Sequence, residues 1–262
     1  MVDELTLHGL KSWFEKYVSG FASDDQDIAM NIELKKRHTM NVCIEIVDIA
    51  NSIALNRQDV FLAEAVALLH DVGRFDQYMR YHTFDDATSE NHAMLGAGIL
   101  DREGVLEDID RATRKLILDV VACHNRAELP VEDDKRRTFF LKLLRDADKI
   151  DIWRIVTQYY ERHPSISTRS IELNLPDTPE ISNQIVEALL AGRTARTKDM
   201  KTLNDFKLLQ IGWVFDLNFS RTLQIAAGRR YLDRIRDTLP DSDIVNRVFR
   251  KAKAYLHAGF PA

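Results

Sequence analysis

Four histidines and two aspartates stand at long intervals in the chain: His38, the adjacent pair His70-Asp71, His92, His124 and Asp148. Imidazole and carboxylate are side chains that hold divalent transition metals. Each of the six lies in a segment that reads as helix and falls in line with that helix's apolar residues. Six polar groups aimed at one core are costly if they find no partner. A metal centre removes the cost, because coordination satisfies the ligands. The chemistry expected from such a set is metal-assisted, and the elements that carry it should be helices converging on one point.

The helical period of 3.6 residues assigns each ligand to a face. Val42, Ile46, Ile49 and Ile53 repeat at helical spacing, and His38 stands one turn before Val42. Leu62, Val66 and Leu69 form the next stripe, with His70 four residues after Val66. Ile117, Val120 and Val121 lead to His124. In the stretch 138–160 the face is Leu141, Leu144, Ile152, Ile155 and Tyr159, and Asp148 is four residues from both Leu144 and Ile152. Asp146 is rotated about 200° from Asp148 on a helix and should point elsewhere. His92 has a short helix, with Gly96, Ile99 and Leu100 as its buried face.

The order His, His-Asp, Asp resembles the HD-domain superfamily of metal-dependent phosphohydrolases. It is carried here by Arg37-His38-Thr39, by Leu68-Leu69-His70-Asp71-Val72-Gly73-Arg74 and by Ala147-Asp148-Lys149. The resemblance covers roughly residues 28–160. His92 and His124 resemble the additional ligands of those HD proteins that hold two metals bridged by a carboxylate and a solvent oxygen. No Gly-Tyr-Pro tripeptide occurs, so the cyclic-dinucleotide phosphodiesterases that bear it are not supported.

The resemblance implies a hydrolase acting on ester bonds. A metal-activated hydroxide would attack a small phosphate ester, with a nucleotide among the candidates. It also implies two divalent transition metals per chain, drawn from Fe, Mn, Co, Ni and Zn. Asp71 would bridge them, with His38, His70 and Asp148 completing one and His92 and His124 the other. Two alternatives stay open at this point. A di-iron oxygenase branch of the superfamily has a similar ligand set, and a non-catalytic, nucleotide-binding regulatory module retains the fold.

Phosphate esters call for positive charge near the metals. Arg74 follows His70 by one turn, Lys149 follows Asp148, and Arg80 and Thr83 lie in the connection after the His-Asp pair. Asp71, Arg74 and Lys149 are the expected catalytic residues; Arg74, Arg80, Thr83 and Lys149 are the expected substrate contacts. His82 is a weaker candidate for an acid near the metals and reads first as a surface histidine; Asp216 is as consistent with a structural hydrogen bond as with closing the pocket.

The architecture expected is all-α: an HD-domain helical bundle over 28–160, and a mostly helical extension over 161–262 packed on it to make one compact unit. Glycine (10) and proline (6) are scarce enough for helices through most of the length. Residues 74–89 read as an irregular connection, 127–136 as a loop around Pro130, and Ile171, Leu173 and Leu175 alternate as a short strand would. Further helices are expected near 179–191, 203–217, 220–237 and 241–257. The net charge of −5 gives no basis for a nucleic-acid polymer or a membrane as partner. The start Met1-Val2-Asp3-Glu4 has no apolar run behind it, so no signal peptide and a cytoplasmic location are expected. Cys43 and Cys123 read as small core residues.

Overall fold

The computed structural model describes residues 1–127, 134–162 and 169–259. Among these, all regular structure is helical and no strand occurs. The chain divides into two compact units, Met1–Asp148 and Lys149–Ala262. The division falls inside a long helix, not at residue 160, where the sequence places the end of the bundle.

The first unit contains α1 (Glu4–Ser19), α2 (Gln26–Ser52), α3 (Arg57–Leu69), α4 (Val72–Tyr81), α5 (His92–Arg102), α6 (Arg111–Cys123) and the start of α7 (Lys135–Arg162). Short polar side chains set the helix starts. Asp3, Asp25, Asn56, Asn91 and Asp110 each accept a backbone N–H of the first turn, satisfying donors that have no partner within the helix. The cap at Asn91 makes His92 the first residue of α5. Helix α2 packs on α3, α4 on α5, and α5 on α6. Between them lie Val42, Ile46, Ile49, Leu62, Val66, Leu69, Ile117, Val120, Val121, Leu141 and Leu144, all buried. These are the stripes of the sequence analysis, except that Ile53 caps the end of α2 and is 37% exposed.

Residues 72–81 correct the expected irregular connection: they form α4. Its buried residues Val72, Phe75 and Tyr78 recur every three positions, a helical spacing that the polar and aromatic composition of the run obscured. The helix closes on His82, which takes a left-handed conformation at φ 50° while its N–H bonds the Tyr78 carbonyl. At the crossing of α4 and α5, an added Cβ on Gly73 would stand 2.1 Å from the His92 carbonyl oxygen and 2.6 Å from the Gly96 nitrogen. The two glycines therefore let the backbones meet.

The second unit holds the rest of α7, then α8 (Arg169–Glu172), α9 (Asn183–Leu190), α10 (Leu203–Gly212), α11 (Ser220–Gly228), α12 (Tyr231–Arg236) and α13 (Asp243–Ala258). Along this half of α7 the buried apolar residues are Ile150, Trp153, Val156 and Tyr160. The expected Ile152, Ile155 and Tyr159 are half-buried, so the face is turned by one position. The expected strand is absent. Ile171 belongs to the single turn α8, and Leu173 and Asn174 both take left-handed conformations, which no strand accommodates. The loop expected at 127–136 and the stretch from His163 lie partly outside the described residues. No described helix is long and apolar enough to cross a membrane. Cys43 and Cys123 are both buried and unbridged.

Candidate metal centre

The His70-Asp71 pair sits at the break between α3 and α4. His70 closes α3, and Asp71 opens α4 at φ −103° and ψ 15° without using its carboxylate as a cap. That bend frees both side chains to face the same interior. Around Asp71 the structure gathers all six expected ligands, contributed by α2, the α3–α4 break, α5, the end of α6, and α7.

The two oxygens of Asp71 face different groups. Oδ2 is 3.6 Å from the Nε2 atoms of both His38 and His70. Oδ1 is 3.4 Å from Nε2 of His92 and 3.8 Å from that of His124. Asp148 joins the first group, its Oδ1 3.1 Å from His38 Nε2 and 3.9 Å from His70 Nε2. Its neighbour Asp146 is fully buried. Helical angle, not burial, singled out Asp148.

The imidazole protons can be placed from their partners. His70 Nδ1 is 2.7 Å from the Ala67 carbonyl, and His124 Nδ1 is 2.7 Å from the Val121 carbonyl. Both histidines close their helices, and each returns a bond to a last-turn carbonyl that would otherwise lack a donor. A carbonyl only accepts, so each Nδ1 carries the proton and each Nε2 presents a lone pair. His92 Nδ1 faces the Asp86 carboxylate at 2.7 Å, which fixes the same tautomer. The Nε2 atoms of His92 and His124 then stand 3.0 Å apart, lone pair to lone pair. His70 Nε2 is buried without a hydrogen-bond partner.

Facing lone pairs and an orphaned nitrogen are unfavourable unless a cation lies among them. Two ligand atoms about 2.1 Å from one ion stand roughly 3–3.5 Å apart, close to the distances found here. The residues therefore fit metal in two groups, His38-His70-Asp71 with Asp148 beside it, and Asp71-His92-His124; the ligand atoms of each triad lie within 4.8 Å of one another.

Burial drives the His70 pKa down to about 4 and, together with Arg74, that of His92 down to about 3. Both imidazoles are thus neutral, as ligands must be. Burial opposes ionisation of Asp71, but Lys35, His70, His124 and Arg74 outweigh it and hold the carboxyl well below its usual range. The folded protein gives up protons that the unfolded chain would hold on these histidines. Stability of the metal-free protein should be full above about pH 6.5 and fall as the pH drops from there toward 4. Urea midpoints of the metal-free protein at pH 7.5 and pH 5 measure this, and equal midpoints would contradict it.

Three residues at the site were not singled out from the sequence. Lys35 Nζ lies 2.9 Å from Asp71 Oδ2. It stands three residues before His38 on α2, so the helical period was a usable signal. Asp86 collects His92 Nδ1, Arg74 at 3.1 Å, Gln77 at 2.9 Å and Asn125 at 2.9 Å. Gln77 is fully buried and also donates to Ser89 and the Glu90 carbonyl. Nothing in the run Phe84-Asp85-Asp86-Ala87 marks which aspartate turns inward. Asp86→Asn should weaken metal binding by about 10–100-fold through His92, the usual effect of losing a carboxylate behind a ligating histidine. Metal titration of the stripped variant tests this; wild-type affinity would show that His92 needs no such support.

The expected substrate contacts fare unevenly. Arg74 reaches the site, its Nε 3.6 Å from Asp71 Oδ1. Its NH1 is held by Gln77, the Phe84 carbonyl and Asp86. Arg80 is half exposed and pairs with Asp76 and Glu90. Thr83 accepts the Asp85 N–H within the turn. Neither of these contacts involves a ligand. Lys149 belongs to the second unit, where its Nζ is 2.8 Å from Asp216 Oδ2; that pairing also accounts for Asp216.

Residues 37–153 match the family model for the HD domain. The match begins one residue before His38, ends five beyond Asp148, and so contains the whole ligand set. Comparison with the curated proteins and with solved structures gave no match.

Proposed function

We propose, from residues 37–153 being an HD domain with its ligand set complete, that this protein is a metal-dependent phosphohydrolase cleaving a small phosphate ester. The observation that carries the reading is the pair of Nε2 lone pairs 3.0 Å apart on His92 and His124, which face Asp71 opposite His38 and His70. It supports two divalent cations sharing Asp71. Bound there, such cations supply Lewis-acid polarisation of a phosphoryl oxygen and a water acidic enough to lose its proton near neutral pH.

The chain's own groups divide the remaining work. Asp71 offers one oxygen to each ligand group and holds them in register. The carbonyls of Ala67 and Val121 and the carboxylate of Asp86 lock the three imidazole planes, so no reorganisation is needed as charge develops. Arg74, fixed through its NH1, keeps a positive charge beside Asp71 Oδ1, suited to an anionic substrate. Lys149 remains a candidate, although its partner Asp216 supports a structural role.

The test is elemental analysis of protein purified without chelator, followed by phosphate release from 4-nitrophenyl phosphate, its bis ester and a nucleotide panel. Mn²⁺, Fe²⁺, Co²⁺, Ni²⁺ and Mg²⁺ are supplied in turn. Release that depends on metal and is absent from His70→Ala supports the reading. No release from any ester, with oxygen consumed by the iron-loaded reduced protein, would replace it by the oxygenase.

A further inference from the structure

Asp71 carries a cation on each oxygen, and the two are held very differently. Arg74, on the Oδ1 side, is tied down by bonds to Gln77, the Phe84 carbonyl and Asp86. Lys35, on the Oδ2 side, has one hydrogen-bond acceptor among the described residues, Asp71 itself. Its ammonium also stands 5.1 Å from the centre of the Phe84 ring, with the Arg74 guanidinium 5.8 Å from the same ring. The Lys35 side chain is 16% exposed, so it is largely buried without being sealed from solvent.

Oδ2 is also the oxygen that faces His38 and His70. A divalent cation held by those histidines would draw on the same oxygen that Lys35 now uses. Two like charges would then compete for one carboxylate oxygen, and the more weakly bound must yield. Arg74 cannot, because three acceptors hold it. Lys35 can: it has a flexible four-carbon stem, one acceptor to leave and three N–H donors to offer elsewhere. The acceptor it then needs is an anion close to the metals, and a phosphoryl oxygen is the anion that the hydrolase reading puts there.

We infer that Lys35 is the movable phosphate-binding cation of this site. It balances Asp71 while the histidines hold no ion, and turns to a phosphoryl oxygen once they do. The inference rests on the phosphohydrolase reading for the identity of the anion, but its test does not require turnover. A lysine that merely propped Asp71 in place would strengthen metal binding. A lysine that yields to the metal weakens it. The two roles therefore predict opposite signs for the same substitution.

The experiment uses the full chain and two titrations. Mn²⁺ is titrated into metal-stripped protein, and inorganic phosphate into Mn²⁺-loaded protein, both by calorimetry. Lys35→Met should bind Mn²⁺ about 3-fold more tightly than wild type, because its competitor is gone, and phosphate about 10-fold more weakly. Lys35→Arg should keep phosphate affinity within about 3-fold, since charge is retained. Should Lys35→Met fail to fold, Lys35→Gln carries the same expectations. Weakened Mn²⁺ binding in the neutral variant would overturn the inference in favour of a prop for Asp71. Unchanged phosphate affinity, or a loaded wild type that binds no phosphate, would overturn it as well. Phosphate bound through Lys35 by a protein that cleaves no ester would sustain the inference and sink only the hydrolase.

Discussion

Asp71→Ala should abolish turnover, with a loss of at least about 10³-fold, and should strip both ligand groups of metal together. The reason is geometric. Asp71 is the one member common to the two clusters, with Oδ2 toward His38 and His70 and Oδ1 toward His92 and His124. Losing a histidine removes a ligand from one group; losing Asp71 removes one from each. It also leaves Lys35 and Arg74 beside the imidazoles without the carboxylate that both of them face, which disfavours an incoming cation. Asp71→Asn separates the two effects, since it keeps the shape and lowers the charge. It should retain the fold and lose most of the metal. Elemental analysis alongside phosphate release decides the matter: a variant with full metal content, or with near wild-type rate, would remove Asp71 from its central place.

Gly73→Ala should be nearly as damaging, although Gly73 is not a ligand. A methyl group there would stand 2.1 Å from the His92 carbonyl oxygen and 2.6 Å from the Gly96 nitrogen. Both obstacles are backbone, so no side-chain rotation relieves them. Helices α4 and α5 must separate, and the crossing holds His92 on one side and the Asp71 bend on the other. A cost of roughly 3 kcal/mol or more is expected, at the upper end for overpacking because main chain must move. Weakened metal binding at the His92 group should accompany it. Thermal melting with and without metal reads both effects. A melting temperature within a degree or two of wild type would mean that the helices separate freely.

The helices that carry the candidate ligands were legible because the candidates fall in line with stripes whose members must be buried. Val42, Val66, Val120 and Leu144 give the direction of the interior, and the period carries it to His38, His70, His124 and Asp148. The same reasoning could have reached Lys35, one turn from His38, had it been applied to bases as well as to ligands. It could also have recovered α4 from Val72, Phe75 and Tyr78. Asp86 is a different case. It lies between helices, where no period operates, and turns inward only because Arg74 and Gln77 of α4, His92 of α5 and Asn125 after α6 meet it. Such convergence exists in the fold and not along the chain. The alternation Ile171, Leu173, Leu175 misled because three residues suffice to suggest a period of two, while the backbone at Leu173 and Asn174 had already left extended geometry.

His70 and His124 end their helices at the site, and this has a consequence beyond the tautomers it sets. The carboxyl end of a helix carries roughly half a negative charge. Both α3 and α6 direct that end at the same small volume. The main chain thus adds a standing negative field to the acidic and imidazole groups of both clusters, one that no side-chain substitution removes. It would contribute on the order of 1 kcal/mol per helix to holding a cation in a partly buried setting. Variants that lose a ligand should therefore retain a residual, weak and chemically unselective attraction for divalent ions. That background is the baseline against which every ligand substitution has to be measured.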